Sequence, residues 1–281
     1  MKAKLILPLA ILFTLIFSCK KTEDTPTPTP IVTPTPTPSF TGCRITQYSQ
    51  DVVNDPVANF ETVKFNYDKD GFINYTESTF KRNNTNVGSQ TNRMTYKDGL
   101  LVQFNDAEQR HIEVYEYLNG IISTIKIPTS NAAVFVNLAI KISTDANKKI
   151  IKMEDNRGNI STIKRDTKGN IIEVKVMNDG TDESFRMEII GYDNKKTIYE
   201  LLKGFQFDIF PLVDTYTEKP LFSVGASGNP LKAKVYRKGI LKEDWEFAYE
   251  YTSEGYPTKI VSTNILFNKV ITQTIEYAGC K

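Results

Sequence analysis

Tyr67-Asp68-Lys69-Asp70-Gly71-Phe72-Ile73 and Arg165-Asp166-Thr167-Lys168-Gly169-Asn170-Ile171 follow one grammar: a large side chain, Asp, two polar residues, Gly, one residue, Ile. Just upstream of the first, Val63, Phe65 and Tyr67 alternate with Lys64, Asn66 and Asp68. A period of two puts the apolar side chains on one face of a strand. The Asp and Gly that follow are turn chemistry, because tight hairpin connections need positive φ at one or two positions. The same succession recurs at Lys97-Asp98-Gly99, Leu118-Asn119-Gly120, Asp145-Ala146-Asn147, Asp193-Asn194-Lys195, Arg237-Lys238-Gly239 and Ser253-Glu254-Gly255. Residues 39–281 therefore read as one all-β domain, an antiparallel meander of β-hairpin repeats with sequence neighbours paired in space.

The strand that bears most on closure holds Trp245, Phe247, Tyr249 and Tyr251 on one face and Glu246 and Glu250 on the other. A flat layer would leave such an aromatic face wet, so the sheet must curl strongly or close into a barrel. Two stretches break the rhythm. In residues 197–213, Ile198, Leu201, Leu202, Phe205 and Ile209 stand three or four apart ahead of Pro211. That spacing predicts one short helical insertion over residues 197–210 that covers the sheet. Residues 131–139 are apolar and fit either a further strand or a covering loop.

At the N-terminus, Lys2 and Lys4 precede an unbroken apolar stretch, residues 5–17, too short to span a bilayer as a helix. Ile16-Phe17-Ser18-Cys19 resembles the lipobox of bacterial lipoproteins, Phe17 being bulkier than usual at its position. The expectation is a signal peptide over residues 1–18 and lipidation of Cys19, whose acyl chains form the membrane anchor. Residues 19–38 then form the lipidated N-terminus and a Thr/Pro-rich stalk. Alternating prolines over 22–38 deny it helix and ladder alike, and in polyproline II the run reaches about 50 Å. Glu23-Asp24 after the cysteine resembles surface-export signals of Bacteroidetes lipoproteins.

Removing residues 1–18 takes away Lys2 and Lys4 and leaves 33 basic against 33 acidic residues. A neutral chain without a Lys/Arg cluster lacks the electrostatic footprint of a nucleic-acid binder. Of three cysteines, Cys19 is taken by lipid, which leaves Cys43 and Cys280 as a pair at the two ends of the domain. In an oxidising compartment a disulfide between them ties first strand to last.

The lipobox, the Thr/Pro stalk, the Tyr-Asp turn grammar, Tyr192-Asp193-Asn194-Lys195-Lys196 and Ser227-Gly228-Asn229-Pro230-Leu231-Lys232 together resemble a family of Bacteroidetes lipoproteins of unknown function with a porin-like β fold. The hairpins also resemble the YD-type repeats of secreted bacterial proteins. The resemblance implies a curved sheet or porin-like barrel, an outer-membrane anchor that puts the domain in the cell envelope or on the cell surface, and no catalytic residues. Lipidation and a stalk imply a domain held off the bilayer, so the apolar face turns inward and the Lys/Glu face meets water, against a membrane-spanning barrel.

Catalytic motifs are scarce. The single histidine, His111, rules out a multi-His metal site and reads as a solvent-facing residue near a strand edge. No cofactor or metal is expected. Asp179, Asp182 and Glu183 keep open a rival reading, a carboxylate-based glycan hydrolase, which needs two carboxyls facing each other across a cleft. The fourteen tyrosines suit cross-strand packing or a sugar- or peptide-binding surface. The sequence favours a non-enzymatic structural or binding domain, tethered to a membrane, with a glycan, a peptide or a protein as partner.

Overall fold

The computed structural model describes residues 42–53, 59–82, 85–129, 137–204 and 228–280. Sixteen strands close into one barrel, each hydrogen-bonded to its neighbours in sequence and β1 to β16. In order they are β1 (Arg44–Val53), β2 (Asn59–Tyr67), β3 (Ile73–Arg82), β4 (Thr85–Lys97), β5 (Leu100–Asp106), β6 (Ile112–Leu118), β7 (Ile121–Thr129) and β8 (Leu138–Thr144). There follow β9 (Ile150–Asp155), β10 (Ile160–Arg165), β11 (Ile171–Asn178), β12 (Asp182–Tyr192), β13 (Pro230–Arg237), β14 (Ile240–Tyr251), β15 (Pro257–Asn264) and β16 (Lys269–Ala278). All pairings are antiparallel, so the hairpin grammar is the architecture. Between an open curved sheet and a closed barrel, closure holds: β1 pairs β16 from Arg44↔Ala278 to Val53↔Val270. Beside that seam Cys43 and Cys280 are disulfide-bonded, their Cα atoms 4.3 Å apart.

The repeated Tyr and Asp each have a job in the hairpins. Asp68 Oδ1 accepts from the backbone N–H of Asp70 and Phe72, both at 2.9 Å, and Asp145, Asp155 and Asp166 hold their turns the same way. A carboxylate thus satisfies two backbone donors that the turn would otherwise orphan. Five tyrosines near the C-terminal ends of their strands reach sideways. Tyr67, Tyr117, Tyr192, Tyr249 and Tyr277 donate their hydroxyls to the carbonyls of Ile45, Leu101, Ile171, Pro230 and Pro257, each on the preceding strand, at 2.5–2.8 Å. In β10 Arg165 replaces the tyrosine and bonds the Ile150 carbonyl at 3.1 Å.

A circular barrel of this strand number encloses an aqueous channel. Here the inward side chains Ile125, Ile140, Met153, Ile171, Met187 and Trp245 are each at most 2% exposed and belong to one continuous apolar cluster. The walls therefore pack against one another and fill the interior. Midway along β1 and β16 a polar patch interrupts the apolar lining: Gln273 bonds Gln50 at 3.2 Å and also the Tyr48 hydroxyl. Outside, cross-strand ion pairs face water, among them Lys164–Glu173 (2.7 Å), Lys232–Glu246 (2.6 Å) and Lys259–Glu250 (2.9 Å). A barrel that spans a membrane carries an apolar outer band instead. No helix among the described residues is long and apolar enough to cross a membrane.

The expected helix over residues 197–210 contracts to one 3₁₀ turn, Ile198–Leu201, with residues 205–210 outside those described. Glu200 Oε1 accepts from the Thr197 N–H at 3.0 Å and starts the turn. Leu202 then leaves helical geometry at φ −87° and ψ 81°, because the chain must run on across the barrel to reach β5, where the Leu101 N–H donates to the Gly204 carbonyl at 3.2 Å. Ile198, Leu201 and Leu202 pack on a second cluster of Ile45, Ile260 and Ile275. Of the apolar run 131–139, Leu138 and Ala139 open β8, and residues 131–136 lie outside the described residues.

Candidate functional site

The two rims of the barrel differ. The near rim is where the chain enters at Arg44 and leaves at Ala278, and it bears the disulfide and the Tyr-Asp turns. Residues 196–204 cross this rim as a strap. Lys196 N–H donates to the Gly255 carbonyl at 3.1 Å, Lys203 Nζ to the Asp70 carbonyl at 2.7 Å, and Gly204 lies over Tyr96. A Cβ on Gly204 would stand 2.7 Å from Tyr96 Cε1, so only glycine allows this approach. The strap belongs to a turn of the usual grammar: Asp193 Oδ1 accepts from Lys195 N–H at 3.0 Å and from Asn229 N–H at 2.8 Å, 36 residues on. The insertion is thus spliced into a Tyr-Asp hairpin whose two ends still close normally.

The far rim carries a cleft of about 380 Å³. Its base is a row of cross-strand neighbours, Trp245↔Asn264 and Asn264↔Lys269, that the register of β14, β15 and β16 sets side by side. Trp245, 2% exposed, donates its indole N–H to Glu243 Oε2 at 2.6 Å. Asn264 Oδ1 accepts from the Leu266 N–H at 3.1 Å and shapes the turn from β15 to β16. That turn presents Ile265, Leu266 and Phe267, 53%, 49% and 66% exposed. Arg237 and Lys242 complete the cationic wall with Lys269. At neutral pH the lining holds three cations against one carboxylate.

A second polar cluster sits on β6. His111 Nε2 lies 2.8 Å from Glu113 Oε1, and the Tyr115 hydroxyl donates to the other oxygen of the same carboxylate. The solvent-facing reading of His111 is therefore corrected: its side chain is 17% exposed, turned onto Glu113 with its ring 6.4 Å from that of Phe104. The hydrogen bond to Glu113 raises the His111 pKa against the opposing effect of burial. Asp106 beside it is desolvated, but the His111 and Arg110 N–H groups outweigh that and hold its carboxyl low.

Of the residues singled out in the sequence, Cys43 and Cys280 are brought together. Cys19 and the stalk lie outside the described residues. Among the described residues the one cluster of metal-ligand type is Cys43, Cys280 and Glu254, and its two sulfurs are bonded to each other. Asp179 sits in the turn from β11 to β12 at φ 48°. Asp182 and Glu183 begin β12, and Glu183 binds Lys175 at 2.9 Å and Arg186 at 3.3 Å, which keep its pKa low. The far-rim cleft was not read from the sequence, since its residues come from four strands and a turn. One signal was available: Ile265-Leu266-Phe267 is apolar where a hairpin turn is normally polar.

Among solved structures the chain is similar to a porin-like protein from Bacteroides uniformis, at 10% identity and TM-score 0.56, over 83% of this chain and 98% of that one. It also matches a porin-like protein from Bacteroides vulgatus at 12% identity and TM-score 0.38, over 84% of this chain and 100% of that one. At such identities the likeness to the B. uniformis protein is one of fold. No protein-family model and no curated protein matches the sequence.

Proposed function

We propose that this chain is a cell-envelope lipoprotein, a member of the Bacteroidetes family it resembles, whose barrel is a non-enzymatic binding module. Residues 1–18 direct export, Cys19 carries the acyl chains on the outer membrane, and residues 19–38 hold the barrel, from residue 39 on, away from the bilayer. The observation that carries the binding role is the far-rim cleft, which opens at the end of a filled barrel opposite to the rim where β1 begins at Arg44. The ion-paired outer wall supports tethering over spanning.

The rival hydrolase needs one carboxyl kept protonated near neutral pH. The carboxyls with a resolved shift, Asp106, Glu154, Asp166 and Glu183, are all held low, which favours binding over catalysis. The test is metabolic labelling with an alkyne fatty acid. Wild-type chain takes the label and Cys19→Ala does not; equal labelling of both discards the anchor.

A further inference from the structure

We propose that the far-rim cleft binds an acidic saccharide, a sugar chain bearing carboxylate groups; this rests on the reading of the barrel as a binding module. Three features of the cleft select the ligand together. The first is charge: Arg237, Lys242 and Lys269 line the cleft against the single carboxylate of Glu243, so an anion is favoured. The second is that carboxylate itself. One Glu243 oxygen takes the Trp245 indole N–H, and a carboxylate has further lone pairs for outside donors. A ligand that is only an anion, such as an acidic peptide side chain or a phosphate headgroup, is repelled there, whereas a sugar hydroxyl donates to it. Asn264, whose Oδ1 is used by its own turn, adds a fixed amide beside it.

The third feature is the Phe267 ring, 66% exposed at the mouth. A flat apolar face beside convergent polar groups suits the C–H face of a pyranose, which stacks on aromatics while its hydroxyls and carboxylate reach inward. Cation, hydroxyl acceptor and exposed ring are each common on a protein surface. Combined in a cleft of about 380 Å³, they fit one or two uronic acid residues of a longer chain. The charge contribution also makes binding weaken as salt rises.

The test is calorimetric titration of the full chain in phosphatidylcholine nanodiscs with a galacturonate hexamer and a hyaluronan oligosaccharide. Neutral galactan of equal length, polyglutamate and phosphatidylglycerol vesicles serve as competing probes. At least one acidic saccharide should bind. Lys242→Glu and Phe267→Ser, both at exposed positions, should each weaken it about tenfold, as should added salt. Far-ultraviolet dichroism checks that both variants stay folded. Equal binding of neutral galactan, with the same loss in both variants, overturns the acidic preference while the cleft remains a binding site. Polyglutamate or vesicle binding that depends on Lys242, without saccharide binding, overturns the saccharide and likewise leaves the binding module standing. If the variants change binding of no probe, the proposal and the binding role of the cleft fall together.

Discussion

Breaking the Cys43–Cys280 bridge should weaken the barrel without opening it. The two residues are 237 apart in sequence, and closing so long a loop in the unfolded chain contributes about 5 kcal/mol when native strain and residual structure are neglected. In the folded chain the same seam is also held by the β1–β16 ladder, Arg44↔Ala278 to Val53↔Val270, and by the Tyr67 and Tyr277 hydroxyl bonds on either side. Reduction removes a constraint on the unfolded state and leaves those contacts in place. The lone tryptophan, Trp245, is 2% exposed and reports folding by its fluorescence. Guanidinium titrations with and without reductant should give the same native emission in buffer but a clearly lower midpoint when reduced. Cys43→Ser, Cys280→Ser and the double variant should match one another, since the bridge acts as a unit. Coincident midpoints would refute the entropic argument. Loss of native emission on reduction alone would show that the bridge, not the ladder, keeps the barrel shut.

The tyrosine bonds set an alkaline limit. Burial pushes Tyr67 and Tyr117 up to about 12 from an ordinary 10, so their contribution is complete below pH 10 and is lost as pH rises to about 12. Phenolate absorbance and unfolding should then rise together in that window, and ionisation near pH 10 in a folded barrel would contradict it. Gly204→Ala should destabilise by roughly 1–2 kcal/mol, from φ +84° and a Cβ 2.7 Å from Tyr96, seen as a lower unfolding midpoint. An unchanged midpoint would mean that the strap is not seated on Tyr96.

Much of the fold was legible because hairpin chemistry is local. Asp68 and Gly71 mark a turn whatever surrounds them, and alternation at Trp245 and Phe247 fixes which face is buried. Closure was less so, since an open curl buries the same face, and only the β1–β16 register decides it. The tyrosine role also depends on register: nothing near Tyr192 in sequence names the Ile171 carbonyl as its partner. The helical reading of residues 197–210 failed because three- and four-residue spacing also suits a strap that sets Ile198, Leu201 and Leu202 down on one cluster. His111 was misjudged because a lone polar residue near a turn looks solvated until Glu113, two residues on, is seen to share its face.

The barrel is filled within and carries ion pairs without, and the anchor proposed for it is the acylated Cys19. Cys19→Ala, expressed at native level and extracted without detergent, measures this most directly. The protein should leave the membrane fraction and run in aqueous buffer as a folded, monodisperse species with β-rich dichroism and native Trp245 emission. A Cys19→Ala chain that stays in the membrane after alkaline washing, or folds only in detergent, would mean that the wall faces lipid and that the barrel spans the membrane.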